Sequence, residues 1–113
     1  MKTGIVVILY NPDIGHLTSV IQAFSAPEWD LVLVDNSANA NERLNTSSCT
    51  YIHCGTNLGI AKAQNIGLEK LFDKGVEYAF LLDQDSQFTP TIANELLRQF
   101  TTCLLYTSPS PRD

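Results

Sequence analysis

Tyr78-Ala79-Phe80-Leu81-Leu82-Asp83-Gln84-Asp85-Ser86 decides the reading of this chain, because an unbroken apolar and aromatic run ends in two carboxylates one residue apart. A run without polar residues is the pattern of a strand covered on both faces, as in a parallel sheet. Asp83 and Asp85 then stand at its carboxyl end, where open α/β sheets bind their ligands. With alternation of period two, residues i and i+2 project to the same side, so Asp83 and Asp85 reach into one pocket while Gln84 faces away. Two carboxylates so placed repel each other unless a cation or a ligand hydroxyl uses them. Mg2+ or Mn2+ suits the pair, since such ions are held by one or two carboxylates plus phosphate oxygens at about 2.0–2.1 Å. A solvated, Asp-rich turn is the competing reading of an isolated D-x-D, so the rest of the chain has to decide between them.

Upstream of this stretch, strands and helices alternate. Ile5 to Leu9 is a β-branched, wholly apolar strand, and Asn11-Pro12 closes it and caps the next segment. Ile14, Leu17, Val20, Ile21 and Phe24 then recur at helical spacing up to a break at Pro27. Leu31 to Val34 reads as a second buried strand ending in Asp35-Asn36-Ser37, and 39–48 as a polar loop with room for a short helical turn. A short third strand at about Tyr51 to Cys54 precedes Gly55-Thr56-Asn57. A helix from about Ile60 to Asp73 follows, with Ala63, Ile66 and Leu71 inward and Lys74-Gly75 as its stop. Beyond Asp85, Thr89 caps a last helix with Pro90 in its first turn and Ile92, Ala93, Leu96, Leu97 and Phe100 as its apolar stripe.

This order implies an α/β domain: an open, mostly parallel sheet with right-handed crossovers and helices on both faces. Parallel strands put Tyr10-Asn11, Asp35-Asn36-Ser37 and Asp83-Gln84-Asp85 on one rim, where they converge on a single crevice.

Composition narrows the function. The 113 residues make one domain or a piece of one, with 44% apolar residues to build a core. Seven basic against twelve acidic residues give a net charge of −5, and no Lys/Arg cluster occurs, which argues against a nucleic-acid partner. The apolar N-terminal stretch is too short for a signal peptide, and no run could span a bilayer, so the chain reads as cytoplasmic. Three cysteines fit a reducing compartment. Cys49, His53 and Cys54 lack the second ligand pair of a structural zinc site, so His53 reads as a strand residue and His16 as an exposed helix position.

Four segments together resemble the N-terminal half of a family 2 glycosyltransferase: Val6-Val7-Ile8-Leu9-Tyr10-Asn11-Pro12, Val34-Asp35-Asn36-Ser37, Asn57-Leu58-Gly59-Ile60-Ala61 with Ala63, Asn65 and Gly67, and Leu82-Asp83-Gln84-Asp85-Ser86. The last is similar to the corresponding motif of bacterial rhamnosyltransferases that use dTDP-rhamnose for cell-surface polysaccharides. The resemblance runs from Met1 to about Phe100 and implies a truncated, Rossmann-like GT-A-type half-domain. It further implies a nucleotide-diphosphate sugar (dTDP- or UDP-sugar) as donor, Mg2+ or Mn2+ as cofactor, and a saccharide or lipid-linked acceptor. The parent protein is expected at the inner face of the plasma membrane, with peripheral membrane association as an option.

Carried over residue by residue, the resemblance makes Tyr10 and Asn11 the lining of the nucleotide pocket. Asp35 would accept a hydrogen bond from a pyrimidine ring N–H, a contact that suits uracil or thymine and mismatches cytosine. Asn57, Gly59, Ala61 and Asn65 would flank the nucleotide, where small residues permit close approach. For Gly59 and Gly67 a tight turn and helix–sheet packing are equally good explanations, and Lys62 reads as a solvated lysine rather than a phosphate ligand. Asp83 would meet the ribose, or the metal through water, and Asp85 would ligate the metal directly. The family inverts, so a carboxylate general base is expected in the acceptor-binding half, and none is identified in this chain.

The domain is expected to occupy 1–101. The stretch from about Thr102 to Asp113, with Pro109 and Pro111, does not match the family and is expected to be a non-native or disordered tail, a Pro-containing linker being the alternative. Other classes fit less well. A receiver-like Mg2+-binding module needs its acidic pair after the first strand, where Tyr10-Asn11 stands. A nucleotidyltransferase or a dinucleotide oxidoreductase needs a glycine-rich loop there, and Asn11-Pro12-Asp13 is not one.

Overall fold

A computed structural model describes residues 2–42, 44 and 46–107. Its elements follow one another as β1 (Thr3–Leu9), α1 (Ile14–Ala23), β2 (Trp29–Asp35), β3 (Thr50–His53), α2 (Ile60–Asp73), β4 (Tyr78–Asp83) and α3 (Pro90–Thr107). The four strands form one parallel sheet in the order β3-β2-β1-β4. The fold is thus the open α/β arrangement that the alternation of elements implies.

Period-two alternation sorts the central strands into two cores. Ile5, Val7 and Leu9 of β1 and Leu31 and Leu33 of β2 pack with Leu17 and Ile21 of α1, with Phe24 just after that helix, and with Ala93 from α3. On the other face, Val6, Ile8, Val32 and Val34 pack with Ala63 and Leu71 of α2 and with Val76. All seven residues of β1 are buried, and each Val, Leu or Ile so enclosed contributes about 1.5–3 kcal/mol relative to exposure.

Local chemistry sets the ends of the helices. Asp13, rather than Asn11-Pro12, caps α1: its Oδ1 accepts from the main-chain N–H of Gly15 at 3.0 Å. Gly75, at φ 83°, ends α2 by donating to the Phe72 carbonyl (3.0 Å), and Val76 N–H reaches the Leu71 carbonyl (3.3 Å). This is the Schellman arrangement, completed by contact between Leu71 and Val76 in one apolar cluster. Thr89 Oγ1 accepts from Ile92 N–H at 3.2 Å and caps α3 as expected.

Two expectations need correction. β4 is an edge strand, not one covered on both faces: α2 lies over β1 and β2, leaving Leu81 44% exposed beside the buried Val6 with which it pairs. Residues 39–48 contain turns and bends but no helix among the described residues; buried Leu44 pins this loop to the core instead. The last helix runs to Thr107, so the stretch expected to be a tail from about Thr102 falls partly in α3 and partly, at 108–113, outside the described residues.

Candidate functional site

The strand register fixes what meets at the rim. Leu9 pairs with Asp35, and Ile8 pairs with Asp83, so the carboxyl ends of β1, β2 and β4 finish side by side. Between them opens a crevice of about 270 Å³, lined by Ile8, Leu9, Tyr10, Asn36, Asn57, Ile60, Asp83 and Gln84. A second crevice of about 240 Å³ adjoins it, lined by Asp13, His16, Gln84, Asp85 and Gln87. A larger cavity of about 340 Å³ lies on the β4 edge against α3, bounded by Tyr78, Ala79, Phe80, Leu96 and Leu97. Its lining includes no acidic group, so the rim crevices are the better place for polar chemistry.

Asp83 and Asp85 therefore face adjoining crevices rather than one pocket, and Gln84 does not turn away but stands between them. Strand alternation stops at Asp83, because Ser86 N–H bonds back to the Asp83 carbonyl at 3.1 Å and closes a turn. Gln84 thereby points its amide at β1: Oε1 accepts from Tyr10 N–H at 2.6 Å and Nε2 donates to the Tyr10 carbonyl at 3.0 Å. Phe88 anchors the loop beyond the turn, its ring 5.9 Å from Phe24 and 5.0 Å from Phe80. His16, read as exposed, is half-buried under this loop, with Nε2 covered and without a partner among the described residues.

Asp35 is fully buried and lines neither crevice. Its Oδ1 accepts from Ser37 N–H at 2.9 Å, and its Oδ2 accepts from Asn41 Nδ2 at 2.6 Å and from the Tyr51 hydroxyl. Burial alone would raise this carboxyl, but the hydrogen bonds from Ser37, Tyr51 and Asn41 outweigh it and hold the group below its ordinary value. Burial pushes the Tyr51 hydroxyl up, and the Asp35 hydrogen bond and charge add to that. Asp35 is thus not the open acceptor that the sequence suggests; it ties β2, β3 and the 38–48 loop together.

The rest of the rim is held by small polar side chains. Asn36 accepts from Leu58 N–H and donates to the Gly59 carbonyl, both at 3.3 Å, while Asn57 Oδ1 accepts from Gly59 N–H at 2.9 Å. Gly59 needs its φ of 88° for this turn, whereas Gly67 is glycine for packing: a Cβ there would lie 2.6 Å from Val6 Cγ1. Asn11, at φ 45°, is held by a 2.7 Å bond from its N–H to Ser37 Oγ. Asn11 and Asn65 are exposed and line neither crevice, and Lys62 is exposed on the first turn of α2.

Asp83 and Asp85 are exposed, and among the described residues neither carboxylate is engaged in a hydrogen bond or ion pair. No three His, Cys, Asp or Glu side chains among the described residues lie close enough to hold a metal by themselves. Mg2+ does not need a protein cage and is commonly shared between one or two carboxylates and substrate phosphates. Two free carboxylates beside a crevice fit an ion that arrives with a diphosphate.

Comparison with known proteins places the chain in a family. The family model described as glycosyl transferase family 2 matches residues 5–103. The chain is similar to the dTDP-rhamnosyl transferase RfbF of Shigella flexneri, with 33% identity over 99 residues that cover 85% of this chain and 32% of that protein. The chain thus spans about a third of the length of the curated relative it matches. No solved structure matches it at a comparable level.

Proposed function

The chain belongs to glycosyl transferase family 2, and from that premise we propose that it is the donor-binding part of an inverting transferase. The sugar is rhamnose carried by dTDP, and the acceptor is a saccharide of a cell-surface polysaccharide. The observation that carries the reading is the rim crevice that unites Tyr10 and Asn57 with Asp83, next to the unengaged Asp85. Similarity to the dTDP-rhamnosyl transferase of Shigella flexneri supports dTDP-rhamnose over other donors.

In this reading the nucleoside enters the crevice of Tyr10, Asn36, Asn57 and Ile60, with the half-exposed Tyr10 ring as a packing surface. Asp83 faces the ribose, and Asp85, alone or with Asp83, would hold Mg2+ or Mn2+. When bound, that ion supplies Lewis-acid neutralisation of the diphosphate as it leaves. Acceptor binding and the general base are assigned to the remainder of a longer protein, and the chain alone is expected to bind without transferring.

No helix among the described residues is long and apolar enough to cross a membrane. Work at the cytoplasmic face, by peripheral attachment, is the matching proposal for the full-length protein.

Calorimetry tests the site. The chain is expected to bind dTDP in the presence of Mn2+ more tightly than purine diphosphates, and Asp85→Ala is expected to remove the Mn2+-dependent part of the affinity. Equal affinity for ADP, or an Asp85→Ala variant that retains the Mn2+ response, would count against the assignment.

A further inference from the structure

We propose that Gln84 is a positioning residue of the donor site, fixing the main chain of Tyr10 and with it one wall of the nucleoside crevice. The proposal rests on the functional reading above and deepens it. The ladder between β1 and β4 ends with Ile8 opposite Asp83, and the chain then turns away at Gln84. Tyr10 lies beyond the last rung, so its N–H and carbonyl have no strand partner on the β4 side. The Gln84 amide takes the place of that partner, supplying one acceptor and one donor, as a neighbouring peptide group would.

A partly exposed glutamine gives up rotamer freedom to be held in this way, and two hydrogen bonds to one peptide offset that loss. Gln84 also lines both crevices and separates Asp83 from Asp85. Opposite it, the Asn36 amide grips the main chain of Leu58 and Gly59, so each wall of the nucleoside crevice is fixed by an amide clamp. Removing Gln84 frees the wall that carries Tyr10 and leaves both carboxylates in place. The expected loss is therefore in nucleoside affinity and not in the response to metal.

Gln84→Met keeps the length of the side chain and removes both hydrogen bonds, and the 113-residue chain is compared with this variant in two measurements. Amide hydrogen exchange at Tyr10 is expected to speed up about tenfold while Val6 and Val7 stay protected, and dTDP affinity is expected to fall about tenfold by the same factor with and without Mn2+. Faster exchange at Tyr10 together with Val6 and Val7 would mean general loosening and would overturn the proposal, as would unchanged exchange at Tyr10. Wild-type binding of dTDP that Gln84→Met leaves unaltered, or a loss confined to the Mn2+-dependent part, would overturn this proposal alone. Failure of the wild-type chain to bind dTDP would overturn the functional reading and the proposal with it.

Discussion

Asp35 carries a buried charge at the end of β2, and its donors come from Ser37, from Asn41 in the following loop and from Tyr51, which reaches across from β3. Tyr51→Phe removes a hydrogen bond to a buried charge and is expected to cost about 1.5–3 kcal/mol at neutral pH. Because the folded-state value of Asp35 is lowered, its contribution to stability is present above the ordinary carboxylate range and is lost as pH falls through the folded value. The gap between wild type and Tyr51→Phe in urea unfolding is accordingly expected to be full at pH 7 and to shrink below about pH 4. A gap that stays constant down to pH 3 would show that the hydroxyl matters for packing and not for the charge.

Helix α2 is the element whose chemistry the sequence states most completely. Its stop at Lys74-Gly75 follows from residue type and its inward stripe from periodicity, and the structure places the helix at Ile60–Asp73, the expected bounds. The two readings of Gly67 are separated only by the sheet beneath it, where Val6 and Val34 leave no space for a methyl group. Gly67→Ala gains about 1 kcal/mol of helix propensity but forces a Cβ against stiff β-branched neighbours, an overpacking cost of about 1–3 kcal/mol. A net destabilisation is expected in thermal or urea unfolding, and a stabilised variant would show that α2 shifts freely on the sheet. β4 was legible as a strand but not as an edge, because an apolar run does not say what lies beside it. An Asp-rich turn was one reading of Asp83–Ser86, but the residue at which the strand ceases was not legible: alternation is a property of strands, and nothing in Asp-Gln-Asp-Ser marks where it stops.

At the scale of the molecule, the edge of β4 is the most consequential exposed surface. Its outer hydrogen-bonding side has no strand partner among the described residues, and Leu81, Leu96 and Ile92 are exposed near it or on α3. An open apolar edge invites pairing with another chain. The isolated chain is expected to self-associate with rising concentration in sedimentation experiments, and Leu81→Lys, on the uncovered face, to suppress this. Association that Leu81→Lys does not alter would place the contact elsewhere. The sheet order bears on biosynthesis as well. β1 precedes the other three strands in sequence but occupies the interior, and its second neighbour, starting with Tyr78 opposite Thr3, is the last of the four. Until that late segment has left the ribosome, one flank of the most apolar strand stays uncovered, so pausing or interruption before Tyr78 would leave an aggregation-prone nascent chain dependent on chaperones.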